Sequence, residues 1–165
     1  MDVFTRRIIG FGVERADIDG ISVCRMFNRA IAGQPLPKHL STDRDPLFRF
    51  HRWLANLRVL EIDEIKSVPY VPVSHPFIER LIGTVRREYL DRVLFWNSVD
   101  LTRKLNRFRD YYNAFRVHRS LHGATPAQRA GATPPAPIPL DHPAWRQHCG
   151  GLGDALIHCN SWLNS

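Results

Sequence analysis

Residues 75–91 read HPFIERLIGTVRREYLD. The pattern predicts a helix from about Pro76 to Asp91, with Ser74 or His75 near its cap and Glu79 in its first turn. Gly83 and Arg86 lie four and seven positions beyond Glu79, so Glu79 and Arg86 share one face about two turns apart. Upstream, residues 41–46 read STDRDP and place Asp43 at the end of a short predicted strand, Lys38 to Thr42. Thirty-five residues separate Asp43 from Glu79. Carboxylate oxygens hold hard Mg²⁺ and arginine holds phosphate, so an acid beside a basic face suits a site where metal and phosphodiester meet. Read alone, Glu79 is equally what the dipole at a helix N-terminus favours.

Around this pair the chain reads as alternating elements. Arg7 to Glu14 is rich in Ile and Val and is expected to be a strand, weakened by Gly10 and Gly12. Asp17 or Asp19 caps a helix to about Ala32, with Ile21, Val23, Cys24, Phe27 and Ile31 as its apolar face and Gly33 as its stop. Pro46 opens a second helix to about Asn56, and Arg58 to Ile65 alternates as an edge-like strand. VPYVPVSHP is an extended loop. A long helix from about Ser98 to Ser120, capped by Ser98, carries Leu101, Leu105, Phe108, Tyr112 and Phe115 at core spacing. GATPAQRAGATPPAPIP reads as a linker, and the remainder as a tail without periodicity.

The chain has 165 residues, 44% of them apolar, and a formal charge of +7. That composition fits one globular domain and excludes wholesale disorder. The absence of a long apolar run excludes a membrane span, and the N-terminal arginines exclude a signal peptide, so a cytoplasmic protein is expected, nucleoid-associated if bound to DNA. Three cysteines, Cys24, Cys149 and Cys159, make no disulfide framework, and the His148-Cys149 and His158-Cys159 pairs lack zinc spacing. Residues 77–131 hold eleven Arg and Lys against five acids, leaving the rest of the chain at +1. Basic residues interleaved with aromatics suit phosphate contacts.

These motifs resemble the integrase catalytic core of insertion-sequence transposases and retroviral integrases, the DDE-type family. The spacing of Asp43 and Glu79 is similar to that of the family's second and third acids, and ERLIGTVRREYL to its Glu-Arg…Lys/Arg helix. YYNAFRVHRSLHGATPAQR looks like its Tyr-Asn, Arg-x-His, Leu, Thr-Pro ending, and MDVFTRRIIGFGV like its Val-Ile-Asp-x-Phe-Ser-Arg stretch. The resemblance implies an α/β fold, an RNase H-like mixed five-stranded sheet flanked by helices. Residues 1–130 would be a partial core, and 131–165 a linker and tail with a helical C-terminal extension. It implies Mg²⁺- or Mn²⁺-dependent phosphoryl transfer on DNA, with two ions roughly 3.5–4 Å apart clamping the attacking and leaving oxygens. Asp43 and Glu79 would be catalytic metal ligands. Arg86 would contact the element end. Arg80, Arg87, Arg103, Lys104, Arg107, Arg116 and Arg119 would make further DNA contacts.

One part of the pattern does not match. The family's first acid lies on a strand upstream of the stretch that Met1 opens, and Asp2 corresponds to a non-catalytic aspartate. Asp17, Asp19 and Asp45 do not replace it. The expectation is a core lacking the central first strand and inactive as an isolated chain. DNA, another copy, or a full-length transposase would be its partners. The alternatives are a non-catalytic DNA-binding or assembly fragment modulating a full-length transposase, a misannotated start, or a decayed remnant.

Overall fold

The computed structural model describes residues 1–15, 18–66, 76–133, 143–148 and 153–158. Two compact units make up the chain: a first of Met1–Ile8, Thr84–Leu94 and Lys104–Ser165, and a second of Ile9–Gly83 and Phe95–Arg103. The reading of VPYVPVSHP as a loop, Ser74 and His75 as caps, Asp17, Cys149 and Cys159 all lie outside the described residues.

The second unit is built on helix α1 (Gly20–Ile31), strand β1 (His39–Thr42), helix α2 (His51–Val59) and strand β2 (Asp63–Lys66). Asp19 caps α1, its carboxylate accepting from Ser22 N–H at 2.7 Å, and Gly33 (φ 72°) ends it. β1 and β2 pair in parallel, Thr42 opposite Lys66, around the α2 crossover. Val23, Trp53, Leu57 and Ile62 form the buried core, with Phe27 and Phe48 packed on it. Trp53 is 1% exposed; its ring meets Phe27 edge-on at 5.2 Å and Phe48 at 5.2 Å.

Several expectations are corrected here. Arg7 to Glu14 is not a strand: residues 6–15 join no ladder among the described residues. A Cβ on Gly10 would fall on the Ala30 carbonyl, and one on Gly12 on the Met26 side chain. Both glycines therefore let this segment lie directly against α1, the close backbone approach that glycine permits. The predicted helix from Pro46 is a 3-10 turn, Pro46–Arg49, followed by α2. The predicted strand from Arg58 starts only at Asp63, because α2 runs through Val59 and Glu61 turns the chain at φ 55°. Among the described residues the parallel sheet has two strands, fewer than the expected five.

Helix α3 spans Pro76–Glu88 and helix α4 spans Ser98–Ala114. The cap of α4 is Asn97 rather than Ser98: its side chain accepts from Asp100 N–H at 2.9 Å. α4 stops six residues before Ser120, which leaves Phe115 beyond the helix and 39% exposed instead of in the core. In the first unit the Asn113 side chain, next to the helix end, is tied to the N-terminal segment. Its amide accepts from Ile8 N–H and donates to Ile8 C=O, both at 2.9 Å, fixing the helix end to the N-terminal segment. Tyr89, Leu105, Phe108 and Tyr112 are buried there, with Tyr89 stacked on Phe108 at 5.3 Å. A four-residue helix α5 (Pro126–Arg129) follows, opened by a Thr125–Gln128 capping box. Strands β3 (Pro143–His148) and β4 (Gly153–His158) then pair antiparallel. Among its described residues the C-terminal extension, expected to be helical, is a β pair. In sequence its strands flank Gly150-Gly151, a composition that favours hairpins.

Candidate active site

Asp43 lies directly beyond β1, in the second unit, and is exposed. Its carboxylate accepts from Asp45 N–H at 3.0 Å, and Asp45 in turn accepts from Leu47 N–H at 2.8 Å. These consecutive Asx turns steer the chain into the Pro46–Arg49 turn and set the direction of Asp43. The strand beneath is fixed by a half-hidden carboxylate. Glu64 on β2, its side chain 11% exposed, accepts from Thr42 Oγ1 at 2.7 Å and Trp53 Nε1 at 3.3 Å, with Lys66 Nζ at 3.8 Å.

Asp43 lines a cavity of about 230 Å³ whose other walls are Arg44, Phe48, Arg49 and Lys66. Three cationic residues and one carboxylate thus line one cavity, with Lys66 also close to Glu64, a composition suited to a phosphate beside a metal ligand. The sequence reading missed Arg44, Arg49 and Lys66. Arg44 and Arg49 carry a signal in their closeness to Asp43. Lys66 does not, because only the parallel register places it opposite Thr42.

Glu79 sits in the first turn of α3, exposed and in the same unit as Asp43. Both are hard oxygen donors of the type that holds Mg²⁺ or Mn²⁺. Among the described residues no group of three or more His, Cys, Asp and Glu side chains converges as a metal-binding set.

The basic residues fall into two kinds. Arg80, Arg86 and Arg87 on α3, Arg103 and Arg107 on α4, and Arg119 are exposed and without an ion pair among the described residues. Lys104 instead donates to Leu94 C=O. Arg116 donates twice to Glu88, at 2.6 and 2.9 Å, and lies over the Tyr112 ring. The partition into units also sorts the charge. Residues 1–8, 84–94 and 104–133 carry eleven Arg and Lys against four acids, whereas the second unit carries eleven against ten.

Arg116 also donates toward His118 Nδ1 at 3.2 Å. Burial of the imidazole, followed by the positive charge of Arg116, pushes the His118 pKa down to about 4 from 6.5. The folded state therefore binds fewer protons than the unfolded chain between these values. Stability contributed by His118 is complete above pH about 6.5 and is lost as pH falls toward about 4. Urea midpoints of the wild type and His118→Gln, measured from pH 7 to pH 4, should show the steeper decline in the wild type. Parallel curves would contradict this.

Residues 61–126 match the model of the Integrase core domain family. An uncharacterized 39.2 kDa protein of insertion element IS476 from Xanthomonas euvesicatoria is 28% identical over 130 residues, covering 79% of this chain. This chain spans only 37% of that relative's length. The catalytic core domain of BIV integrase superposes with a TM-score of 0.51 at 22% identity, covering 67% of this chain and 69% of that one. A chain of the simian T-cell lymphotropic virus intasome in complex with PP2A regulatory subunit B56 gamma gives 0.57 at 18% identity, covering 86% of this chain and 53% of that one. The fold is that of an RNase H-like integrase catalytic core. Over residues 61–126 the chain is thus similar to an integrase core domain, and its fold is similar to that of a retroviral integrase catalytic core. No helix among the described residues is long and apolar enough to cross a membrane.

Proposed function

We propose that this chain is the DNA-handling core of a mobile element's transposase, in which Asp43 and Glu79 hold Mg²⁺ or Mn²⁺ and Arg44, Arg49 and Lys66 seat a DNA phosphate beside them. The observation that carries this reading is the cavity that joins the Asp43 carboxylate to three cations. The metal, when bound, supplies activation of the attacking oxygen and stabilisation of the leaving one. The protein's own groups do the positioning. Glu64 holds the strand under Asp43 through Thr42, and the cations neutralise and orient the phosphodiester. The exposed arginines of α3 and α4 grip the backbone further along. Assembly with further copies or with a full-length transposase fits the intasome in which one structural neighbour was captured.

A second reading, a non-catalytic DNA-binding fragment that modulates a full-length transposase, is favoured by the charge partition. The basic excess lies in the unit that carries neither Asp43 nor Glu79.

Both readings meet in one experiment. Binding of a labelled element-end duplex is compared between the wild type and the double variant Arg49→Gln/Lys66→Gln at matched salt. Loss of the Asp43-side seat should weaken binding and reduce the slope of log K against log salt by about two. Unchanged affinity and slope would remove that seat from the account. Adding Mn²⁺ to the same reactions tests the chemistry: the isolated chain is expected to bind without strand transfer. Turnover that Glu79→Gln abolishes would show instead that the chain works alone.

A further inference from the structure

The first unit holds a second cavity, of about 300 Å³, lined by Phe4, Arg6, Ser120, Leu121, His122 and Arg129. The segment around it is the RSLHGATPAQR stretch, whose resemblance to a family ending gives it no chemistry by itself. The fold brings the two ends of that stretch to one place. Ser120, Leu121 and His122 close a 3-10 turn, and Arg129 ends α5.

Three features single this cavity out. Two arginines, an imidazole and a hydroxyl line it without a carboxylate. Asp2, the acid nearest in sequence to Phe4, does not line it, and its carboxylate accepts from Phe4 N–H at 2.9 Å and from the Thr5 hydroxyl. Arg129 sits over the Phe4 ring at 4.5 Å, a cation–π contact that orients a guanidinium whose geometry suits bidentate bonding to a phosphate. Third, Arg6 (φ 64°) and His122 (φ 55°) both adopt left-handed backbone, and they are two of three such non-glycine residues among those described. That conformation is costly for residues with a Cβ, and such strain clusters at ligand clamps. Here both strained residues line the same cavity.

We infer that this cavity is a second phosphate-binding site, which takes a phosphodiester of nucleic acid away from the Asp43 seat. Arg129 and Arg6 would meet the phosphate oxygens, with His122 and Ser120 completing the donor set. The site would fix where a DNA strand leaves the first unit, so this inference deepens the DNA-handling reading and rests on it for the identity of the ligand.

The test has two arms. In the first, inorganic phosphate is titrated into the full chain while the His122 imidazole and Ser120 amide signals are followed by NMR. A saturable shift in the wild type, lost in Arg129→Gln, is expected; no saturable shift in the wild type would overturn the site. In the second, duplex DNA binding is measured against salt. Arg129→Gln should reduce the slope by about one, in addition to the effect of Arg49→Gln/Lys66→Gln. His122→Asn, which tolerates the left-handed turn, gives an independent reading if Arg129→Gln destabilises the unit. A phosphate shift without DNA binding would leave the site standing and sink the DNA reading. DNA binding with no phosphate shift and an unchanged slope in both variants would do the reverse.

Discussion

Replacing Trp53 with alanine should cost the second unit about 3–5 kcal/mol, a large part of the stability of an ordinary domain. The side chain is 1% exposed and sits between Phe27 and Phe48, above Val23, Leu57 and Ile62, so its removal leaves a cavity that no exposed group can fill. A second loss adds to the first. Trp53 Nε1 donates to Glu64, whose carboxylate is 11% exposed, and without the indole that charge keeps fewer donors in a site with little water. The consequence reaches the candidate site, because the same Glu64 oxygen holds Thr42, the residue before Asp43. Urea unfolding of the variant measures the effect directly. Trp96 supplies the control: it is 85% exposed, and Trp96→Ala should move stability by no more than about 0.5 kcal/mol. Equal losses from both substitutions would mean that the core of this unit is misassigned.

What the sequence made legible follows from how local each feature is. Asp19 as a cap, Gly33 as a stop and Glu79 in the first turn of α3 are decided by a few neighbouring residues, and all three are found there. The order of motifs along the chain carried the class of fold. Features decided across long separations were out of reach. Asn113 is tied to Ile8, 105 positions away, and the sequence extended α4 to Ser120 because its apolar spacing continued. Residues 7–14 have strand-like composition, yet they pack against α1 through two glycines, which composition cannot distinguish from a ladder. The tail showed no helical or strand period, and its strands emerge only as a pair.

The candidate site divides in the same way. The places of Asp43 after a strand and of Glu79 in a first helical turn were readable from local sequence, whereas their roles as metal ligands came only from the family resemblance. The cations around Asp43 were not readable, since Lys66 comes to it through the parallel register of β1 and β2. Arg116 was readable as a basic residue, but not as the partner of Glu88, which lies 28 positions away at the end of α3. A charge that a carboxylate holds at 2.6 Å contributes less to a phosphate surface than one with no ion pair.

The central claim is that the excess positive charge of this integrase-like chain exists to hold DNA. The measurement that tests it most directly is wild-type affinity for a duplex across a salt series. Six exposed arginines, Arg80, Arg86, Arg87, Arg103, Arg107 and Arg119, have no ion pair among the described residues. If each meets a phosphate, log K falls with log salt at a slope of about −5, a loss of about a thousandfold between 50 and 200 mM. Half of them in contact still gives a slope near −3. A steep line of this kind is the predicted result. Binding that ignores salt, or no binding at low salt, would contradict the account.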